Sequence, residues 1–363
     1  MKVITCFLCF IVYGSSYAQS QELESSDDDS KFSFSAYLGL FYAYDFNQPQ
    51  TDYRQPFFFN QNRHNETNVN LGLIRASIEQ AKYHAYLGLQ VGTYAIDNYA
   101  AESNIMQHIY EAFGGVSLNE QNTLWLDAGI FSSHLGFESA ISMDNWTLTR
   151  SLAAESSPFF LTGAKLTYNI KDDWTIAITV ANGWQRIRRV PGNSLPSIGT
   201  QVVYKTEGTT LNWSTLVGTD DPDSTRRIRV FNNLYGIFEL SNRVRVIAGF
   251  DIGLQQTSID SSEYNYWWIP TAIVQYDLNE KLSSSIRVEY VSDENEVIVS
   301  SENPITGFST SGVSFNLDYY PVRNVACRIE SRLLSSKYEL FPKNNAFSSQ
   351  NFVITGSIAF RFE

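Results

Sequence analysis

The sequence predicts an all-β protein: a transmembrane antiparallel up-and-down β-barrel of about 16 strands, with short periplasmic turns and long external loops. Three observations carry this prediction. Apolar and polar residues alternate along most of the chain, the alternation recurs in sixteen segments, and the connections between the segments are alternately short and long. Alternation is typical of barrel strands, because one face of each strand meets lipid and the other faces the interior.

The composition excludes several classes of protein. The chain has 363 residues, of which 43% are hydrophobic and 14% aromatic, and a disordered protein would have far fewer of both. The formal net charge is -12, so the basic surface that a nucleic-acid partner requires is not indicated. No apolar stretch after the first eighteen residues approaches the ~20 residues of a transmembrane helix.

The N-terminus is typical of an exported protein. Residues 1–18 combine one lysine, an apolar run and a small-residue end, which predicts a signal peptide cleaved after Ala18. Residues 19–31 contain three consecutive aspartates and are predicted to be an acidic periplasmic leader. The barrel is predicted over 32–363. The mature chain would keep only Cys327, which excludes an internal disulfide framework.

The strands are predicted from a period of two. The first apolar face runs from Phe32 to Phe46 on even positions, and segments such as 174–181 and 350–362 repeat the pattern. An even number of strands is required in a single-chain bacterial barrel. The sixteen segments begin near residues 32, 67, 82, 107, 123, 159, 174, 197, 209, 226, 243, 265, 282, 307, 322 and 350.

The connections favour a membrane barrel over a soluble sheet. Every odd-numbered connection is longer than its even-numbered neighbours: 47–66 and 134–158 are long, whereas 80–82 and 119–122 are short. A membrane barrel has this asymmetry, and both termini would then lie in the periplasm. The alternative is a secreted β-propeller, β-helix or sandwich, in which water surrounds both ends and nothing favours the asymmetry.

Two local features refine the barrel. Arg75 would share the lipid face with Leu71 and Leu73, at a cost of ~2–4 kcal/mol, so we expect a bulge near Gly72 to Ile74 that turns Arg75 inward. Aromatic residues also gather near the strand ends, as interfacial girdles do. They are Tyr168, Trp174, Tyr204, Trp267, Trp268, Tyr276, Tyr319, Tyr320, Phe360 and Phe362.

The inward face is predicted to carry both signs of charge. Sixteen strands enclose a lumen wide enough for water, so the sequence predicts a channel for passive diffusion of small hydrophilic solutes. The charged side chains either pair along the wall or create a field across a constriction. By parity the inward set is Lys165, Arg227, Arg229, Arg245, Arg287, Arg328, Arg332, Arg361, Glu111, Asp127, Asp251, Glu289 and Glu330.

The connection 134–158 is the longest and mixes apolar with charged residues. We expect it to fold inward with its apolar side on the wall and its carboxylates facing the arginines; the alternative is a surface loop. The predicted pore constriction comprises Glu138, Asp144, Arg150, Glu155, Arg229, Arg245, Arg287 and Arg328.

The stretch 127–168 resembles the central signature of the OmpL-like β-barrel porins of Gram-negative outer membranes. The matching residues are Gly129, Phe131, Gly136, Glu138, Asn145, Arg150, Pro158 and Gly163. The resemblance implies an outer-membrane diffusion channel. The ending Phe360-Arg361-Phe362 resembles the aromatic assembly signal of such barrels, from which the final Glu363 departs.

Other functions remain open at this point. A closed barrel could be a receptor, an adhesin or a structural protein that binds through the loop 47–66 or through Trp267 and Trp268. A hydrolase would need His134 to act with its neighbouring serines and Asp127. Neither a metal cluster nor a phosphate-binding loop is indicated, so no catalytic residue, metal or cofactor is predicted. The expected partners are outer-membrane lipid, small solutes and, through outward small residues such as Gly356, the other copies of a homotrimer.

Overall fold

The computed structural model of the chain describes residues 31–303 and 307–363. Sixteen of the described strands close into one antiparallel barrel, in which each strand pairs with its barrel neighbours in the sequence and the last strand pairs with the first. The predicted signal peptide 1–18 and residues 19–30 of the predicted leader lie outside the described residues. Lys31 already belongs to the first strand.

The barrel strands are β1 (Lys31–Asp45), β2 (Thr67–Glu79), β3 (Tyr83–Val91), β4 (Ile109–Ser117), β5 (Leu124–Ser132), β6 (Phe160–Lys171), β7 (Trp174–Ala181), β8 (Ser197–Lys205), β9 (Thr209–Gly218), β10 (Arg229–Glu239), β11 (Val244–Gln256), β12 (Tyr264–Asn279), β13 (Leu282–Asp293), β14 (Phe308–Val322), β15 (Val325–Ser336) and β18 (Gln350–Phe362). The strands β16 (Phe341–Lys343) and β17 (Ala346–Ser348) form a separate hairpin in the last long connection.

The helices are α1 (Thr93–Asn98) and α2 (Leu152–Glu155), with 3-10 turns at Met106–His108 and Ser142–Asp144. Within the described ranges, every helix is too short to cross a bilayer. The predicted fold class and strand number are confirmed. The largest differences in strand start are at β10, which begins at Arg229 instead of 226, and at β15, which begins at Val325 instead of 322.

The two faces of each strand have opposite chemistry. On β13 the outer side chains of Ile286 and Val288 are 51% and 53% exposed, whereas the inner Arg287 and Glu289 are 0% and 4% exposed. An apolar surface around a polar interior is the reverse of a soluble protein and suits a barrel in lipid.

A bulge in β2 sets the direction of Arg75. Gly39 pairs with Leu71 and Leu40 pairs with Val69, so Asn70 is the extra residue and the parity changes there. Leu71 and Arg75 consequently face inward. The predicted inward turn of Arg75 is confirmed, but the predicted position of the bulge, Gly72 to Ile74, is wrong. The Asn70 side chain instead turns into the interior, where it accepts a hydrogen bond from the Gln61 amide at 2.9 Å.

The two neighbouring tryptophans of β12 lie on opposite faces. Trp267 is 0% exposed and stacks on Phe231 inside the barrel, so its predicted place in an outer girdle is wrong. Trp268 stacks on Phe250, whose ring is exposed on the outer surface. Consecutive residues of a strand point to opposite faces, so the pair cannot belong to one girdle.

Candidate functional site

The segment 134–158 begins between β5 and β6 but contacts the inner face of distant strands. Near its start, the His134 carbonyl accepts a hydrogen bond from the Ser214 hydroxyl at 2.8 Å. The Gly136 amide donates to the Asn233 side chain at 3.0 Å. Gly136 has a φ of 85°, a left-handed conformation that favours glycine. These contacts attach the start of the segment to β9 and β10.

The middle of the segment is bound to β13, β14 and β15. The Leu148 amide donates to Asn316 at 3.0 Å, and the Thr149 amide donates to the Glu330 carboxylate at 2.6 Å. Arg287 donates to the Thr149 carbonyl at 2.5 Å. Because β9 and β13 are four strands apart in the closed barrel, the segment crosses the interior before it returns to β6 at Phe160.

The wall under the middle of the segment holds a buried ion network. Arg287 lies 3.2 Å from Glu289 and 2.9 Å from Glu330. Arg332 lies 2.6 Å from Glu289. All of these side chains are at most 3% exposed, and a neighbouring Arg328 pairs with a buried aspartate in the same way. Removing one partner of such a network leaves an uncompensated buried charge.

Arg287 and Arg328 bind the backbone of the segment rather than its carboxylates, so the predicted arrangement is wrong for these two wall arginines. Arg328 donates to the Asn145 carbonyl at 3.0 Å and to the Ser142 carbonyl. Arg287 and Arg328 are already neutralised by acidic residues of the wall, so carbonyl oxygens of the segment satisfy their remaining N–H groups.

The carboxylates of the segment have other partners. Glu138 accepts hydrogen bonds from the amide and the hydroxyl of Ser151. Asp144 pairs with Arg361 near the end of β18. Glu155 accepts from the Phe59 amide at 2.9 Å, which joins the segment to the loop 47–66.

Arg150 is buried between aromatic rings. Its guanidinium carbon lies 3.1 Å from the centre of the Phe159 ring and 5.3 Å from that of Tyr94. Its Nε atom is 3.9 Å from the Glu155 carboxylate. Arg150 is therefore a packing element of the folded segment, with 2% of its side chain exposed.

Two predicted site arginines lie at the ends of the barrel. Arg229 begins β10, donates to Gln255 at 2.8 and 2.6 Å, and lies over Trp184. Arg245, near the opposite end, pairs with Asp277 at 3.0 Å and lies 5.6 Å from the Trp146 ring of the segment. Arg229 and Arg245 therefore lie apart from Arg287 and Arg328, and the predicted constriction residues do not form one ring.

Charged side chains that are partly exposed also line the wall from β2 to β6. Arg75 pairs with Glu111 at 2.6 Å, and Asp127 contacts both His84 at 2.7 Å and Lys165 at 3.5 Å. The side chains of Arg75, His84 and Lys165 are 36%, 20% and 25% exposed, against 0% for Arg287. Strand parity placed Glu111, Asp127 and Lys165 inward, but no sequence pattern indicated that 134–158 would cover the wall around Arg287 and not these residues.

The loop 47–66 also packs inside the barrel. Phe57 and Phe58 belong to a buried apolar cluster with Leu152 of α2, and the Phe57 ring lies 4.9 Å from that of Phe308. Arg332 lies over the Phe58 ring at 4.7 Å. The two long connections therefore share one packed layer.

The residues considered for hydrolysis do not meet. Asp127 is bound to His84 and Lys165, whereas the His134 ring contacts the Thr215 carbonyl at 2.9 Å. In residues 31–303 and 307–363 no three His, Cys, Asp or Glu side chains are grouped closely enough to hold a metal ion.

Burial of Glu155 predicts a pH-dependent stability. Burial raises the pKa of its carboxyl above the ordinary 4.5, although Arg150 opposes the rise. The folded state then binds the proton more tightly than the unfolded state. The contribution of Glu155 is fully present below pH 4.5 and is lost as the pH rises through the folded-state pKa.

On acidification from pH 7 towards 4.5, the wild type should therefore gain more stability than Glu155→Gln, whose amide imitates the neutral acid. The measurement is the urea midpoint of the refolded barrel at several pH values, followed by tryptophan fluorescence. Equal pH dependence of the two proteins would contradict the assignment.

Comparison with known proteins places this geometry among outer-membrane barrels. The sequence profile of the family described as "Putative beta-barrel porin-2, OmpL-like" matches residues 31–362. No curated protein matches the chain in sequence.

Solved structures share the fold at low identity. An anion-selective porin from Comamonas acidovorans is 7% identical, with 92% of this chain and 100% of that chain covered and a TM-score of 0.62. The trimer form of OmpT, an outer membrane protein of Vibrio cholerae, is 9% identical, with coverages of 92% and 100% and a TM-score of 0.60. The outer membrane channel DcaP of Acinetobacter baumannii is 11% identical, with coverages of 92% and 99% and a TM-score of 0.57.

Proposed function

The chain belongs to the OmpL-like family of β-barrel porins, and we propose that it forms a water-filled channel through the outer membrane for passive diffusion of small hydrophilic solutes. The accessible charged wall of β2 to β6 carries this proposal. A charged side chain that is partly exposed to the interior, such as Arg75 at 36%, is suited to the lining of an aqueous path. A catalytic role has no support in the contacts of His134 and Asp127.

The segment 134–158 narrows the proposed channel. It crosses the interior from β9 to β13 and covers the wall that carries Arg287. The remaining path would then run between the segment and the wall of β2 to β6. Of the constriction residues predicted from the sequence, Asp144 lies beside this path, because its partner Arg361 and Arg75 line one cavity with it.

The test is single-channel conductance of the refolded chain 19–363 in a planar bilayer. Discrete, long-lived open steps are expected. A chain that folds and inserts but never conducts would overturn the proposal, and would leave a closed barrel that acts as a receptor, an adhesin or a structural protein. The apolar cluster around Phe57 and Phe58 is the observation that favours this second candidate.

The accessible cations should influence ion selectivity. The double variant Arg75→Gln, Lys165→Gln removes two partly exposed positive charges from the proposed path. Its reversal potential in a salt gradient is expected to shift towards cation preference. The matched control is Arg188→Gln, an exposed arginine of the external connection 185–196, which should leave selectivity unchanged. An equal shift in both proteins would contradict this location of the path.

Export and assembly complete the proposal. The signal peptide would direct export, and its cleavage after Ala18 would release the chain into the periplasm for insertion into the outer membrane. A homotrimer is supported by the trimer form of the structurally similar OmpT. Gly356 pairs with Tyr42 and Ile329, whose side chains are exposed on the outer surface. A side chain added at Gly356 would meet no atom within 4 Å, so the surface there is recessed and could receive another subunit.

A further inference from the structure

A cavity of about 280 Å³ lies inside the barrel beside the start of the segment 134–158. Residues from four places line it: three tyrosines between 94 and 110, the adjoining ends of β5 and β6 at 132–133 and 159–160, the start of the segment, and β10 through Tyr235 and Ile237. Because β4 and β10 are six strands apart in the closed barrel, the cavity belongs to the bore and is not a crevice within the wall.

Aromatic rings form much of the cavity lining. The Phe137 and Tyr235 rings meet edge to face at 5.7 Å, and Tyr99 stacks on Phe160 at 4.1 Å. Phe137 reaches this position because Gly249 has no side chain: a Cβ there would lie 2.7 Å from the ring. Such rings offer apolar faces and edges to a ligand with a flat apolar side.

The polar groups of the cavity are hydroxyls and one carboxylate. Ser133, Ser139 and Tyr235 bring hydroxyls, and Glu138 brings the carboxylate. No lysine or arginine is among the residues that line the cavity, so the site has nothing to attract an anion. Hydroxyls both donate and accept hydrogen bonds, which matches the hydroxyls of a polyol.

The carboxylate disfavours a cation as the ligand. Glu138 already accepts hydrogen bonds from the amide and the hydroxyl of Ser151, which occupy part of its capacity to bind a cation. A neutral ligand with an apolar face and several hydroxyls along its edge fits the whole lining.

We infer that this cavity binds the ring of a neutral sugar during its passage through the barrel. The inference rests on the proposed channel, and it names the class of solute that binds inside the channel while passing through it. Stacking on Phe137 and Tyr235 holds the face of the ring, while Glu138 and the serine hydroxyls bind its edge.

The test records single-channel current through the refolded chain 19–363 with D-glucose on one side, and with sorbitol as an open-chain polyol of similar size. Glucose is expected to lower the current saturably, whereas sorbitol lowers it only in proportion to its concentration. Phe137→Ala and Tyr235→Ala should each raise the half-saturating glucose concentration about tenfold, a loss of about 1.4 kcal/mol. Tyr235→Phe keeps the ring and should have a smaller effect.

The control Trp146→Ala removes an aromatic ring of the same segment that does not line the cavity, and it should bind glucose as the wild type does. Identical, non-saturating responses to glucose and sorbitol in a conducting channel would overturn the sugar site and leave the channel intact. Saturable block by tetramethylammonium without block by glucose would also overturn it. Absence of any conductance would instead refute the proposed channel.

Discussion

Replacing Arg287 with alanine is expected to lower the free energy of unfolding by about 3–5 kcal/mol and to detach the middle of the segment 134–158 from the wall. The guanidinium is fully buried, pairs with Glu289 and Glu330, and donates to the Thr149 carbonyl. Without this guanidinium, the negative charges of Glu289 and Glu330 are less well neutralised, and the Thr149 carbonyl loses a hydrogen-bond donor. If the segment narrows the channel as proposed, its release should raise the conductance.

The matched control for Arg287→Ala is Arg245→Ala. Arg245 also lies on the inner wall and also pairs with a carboxylate, Asp277, but the two side chains are 34% and 32% exposed. An ion pair in water contributes about 0–1 kcal/mol, so this variant should unfold at nearly the wild-type urea concentration. Glu330→Gln keeps the size of its side chain and provides a second variant if Arg287→Ala fails to fold. If Arg287→Ala and Arg245→Ala lower the free energy of unfolding equally, the buried Arg287 does not contribute more to stability than the partly exposed Arg245, and the prediction is wrong.

Replacing Phe57 with alanine is expected to cost about 3–5 kcal/mol and to loosen the loop 47–66 inside the barrel. The Phe57 ring is 6% exposed and packs against Phe58 and Phe308 at 4.8 and 4.9 Å. Loss of the ring leaves a cavity and removes the contacts that the ring makes between the loop and the wall. If the two packed connections narrow the bore together, conductance should rise with the loss of stability.

Phe59→Ala is the matched control for Phe57→Ala, because Phe59 lies in the same loop and is only half-buried. Its backbone amide, which donates to Glu155, is unchanged by the substitution. Denaturant midpoints and single-channel currents of the two variants can be compared directly. A wild type that is silent and a Phe57→Ala variant that conducts would identify a plugged barrel and refute the open channel.

The alternation of residues made the fold predictable. A barrel strand exposes one face to lipid and the other to the interior. Its apolar and polar residues therefore alternate, and this alternation shows where the strand lies and which of its residues face inward. The strand number followed from this local rule, whereas the inward direction of Arg75 followed from the cost of placing an arginine against lipid. The position of the bulge did not follow from the alternation: the extra residue is Asn70, whose side chain accepts a hydrogen bond from the Gln61 amide of the preceding loop.

The partners inside the barrel were not predictable in the same way. Parity shows that Arg287 and Lys165 both face inward, but not that one is covered by the segment 134–158 and the other stays in contact with water. Nor does it show that Glu155 turns to the loop 47–66 rather than to a wall arginine.

The sequence by itself determined the sixteen-strand barrel, its apolar exterior and the charged residues of its interior, since each strand follows a period of two. Only the tertiary structure decided which of those charges bind the segment 134–158 and which remain accessible. The path of a long connection across the bore depends on contacts between residues more than a hundred positions apart, such as Arg287 and Thr149. No local pattern encodes such contacts.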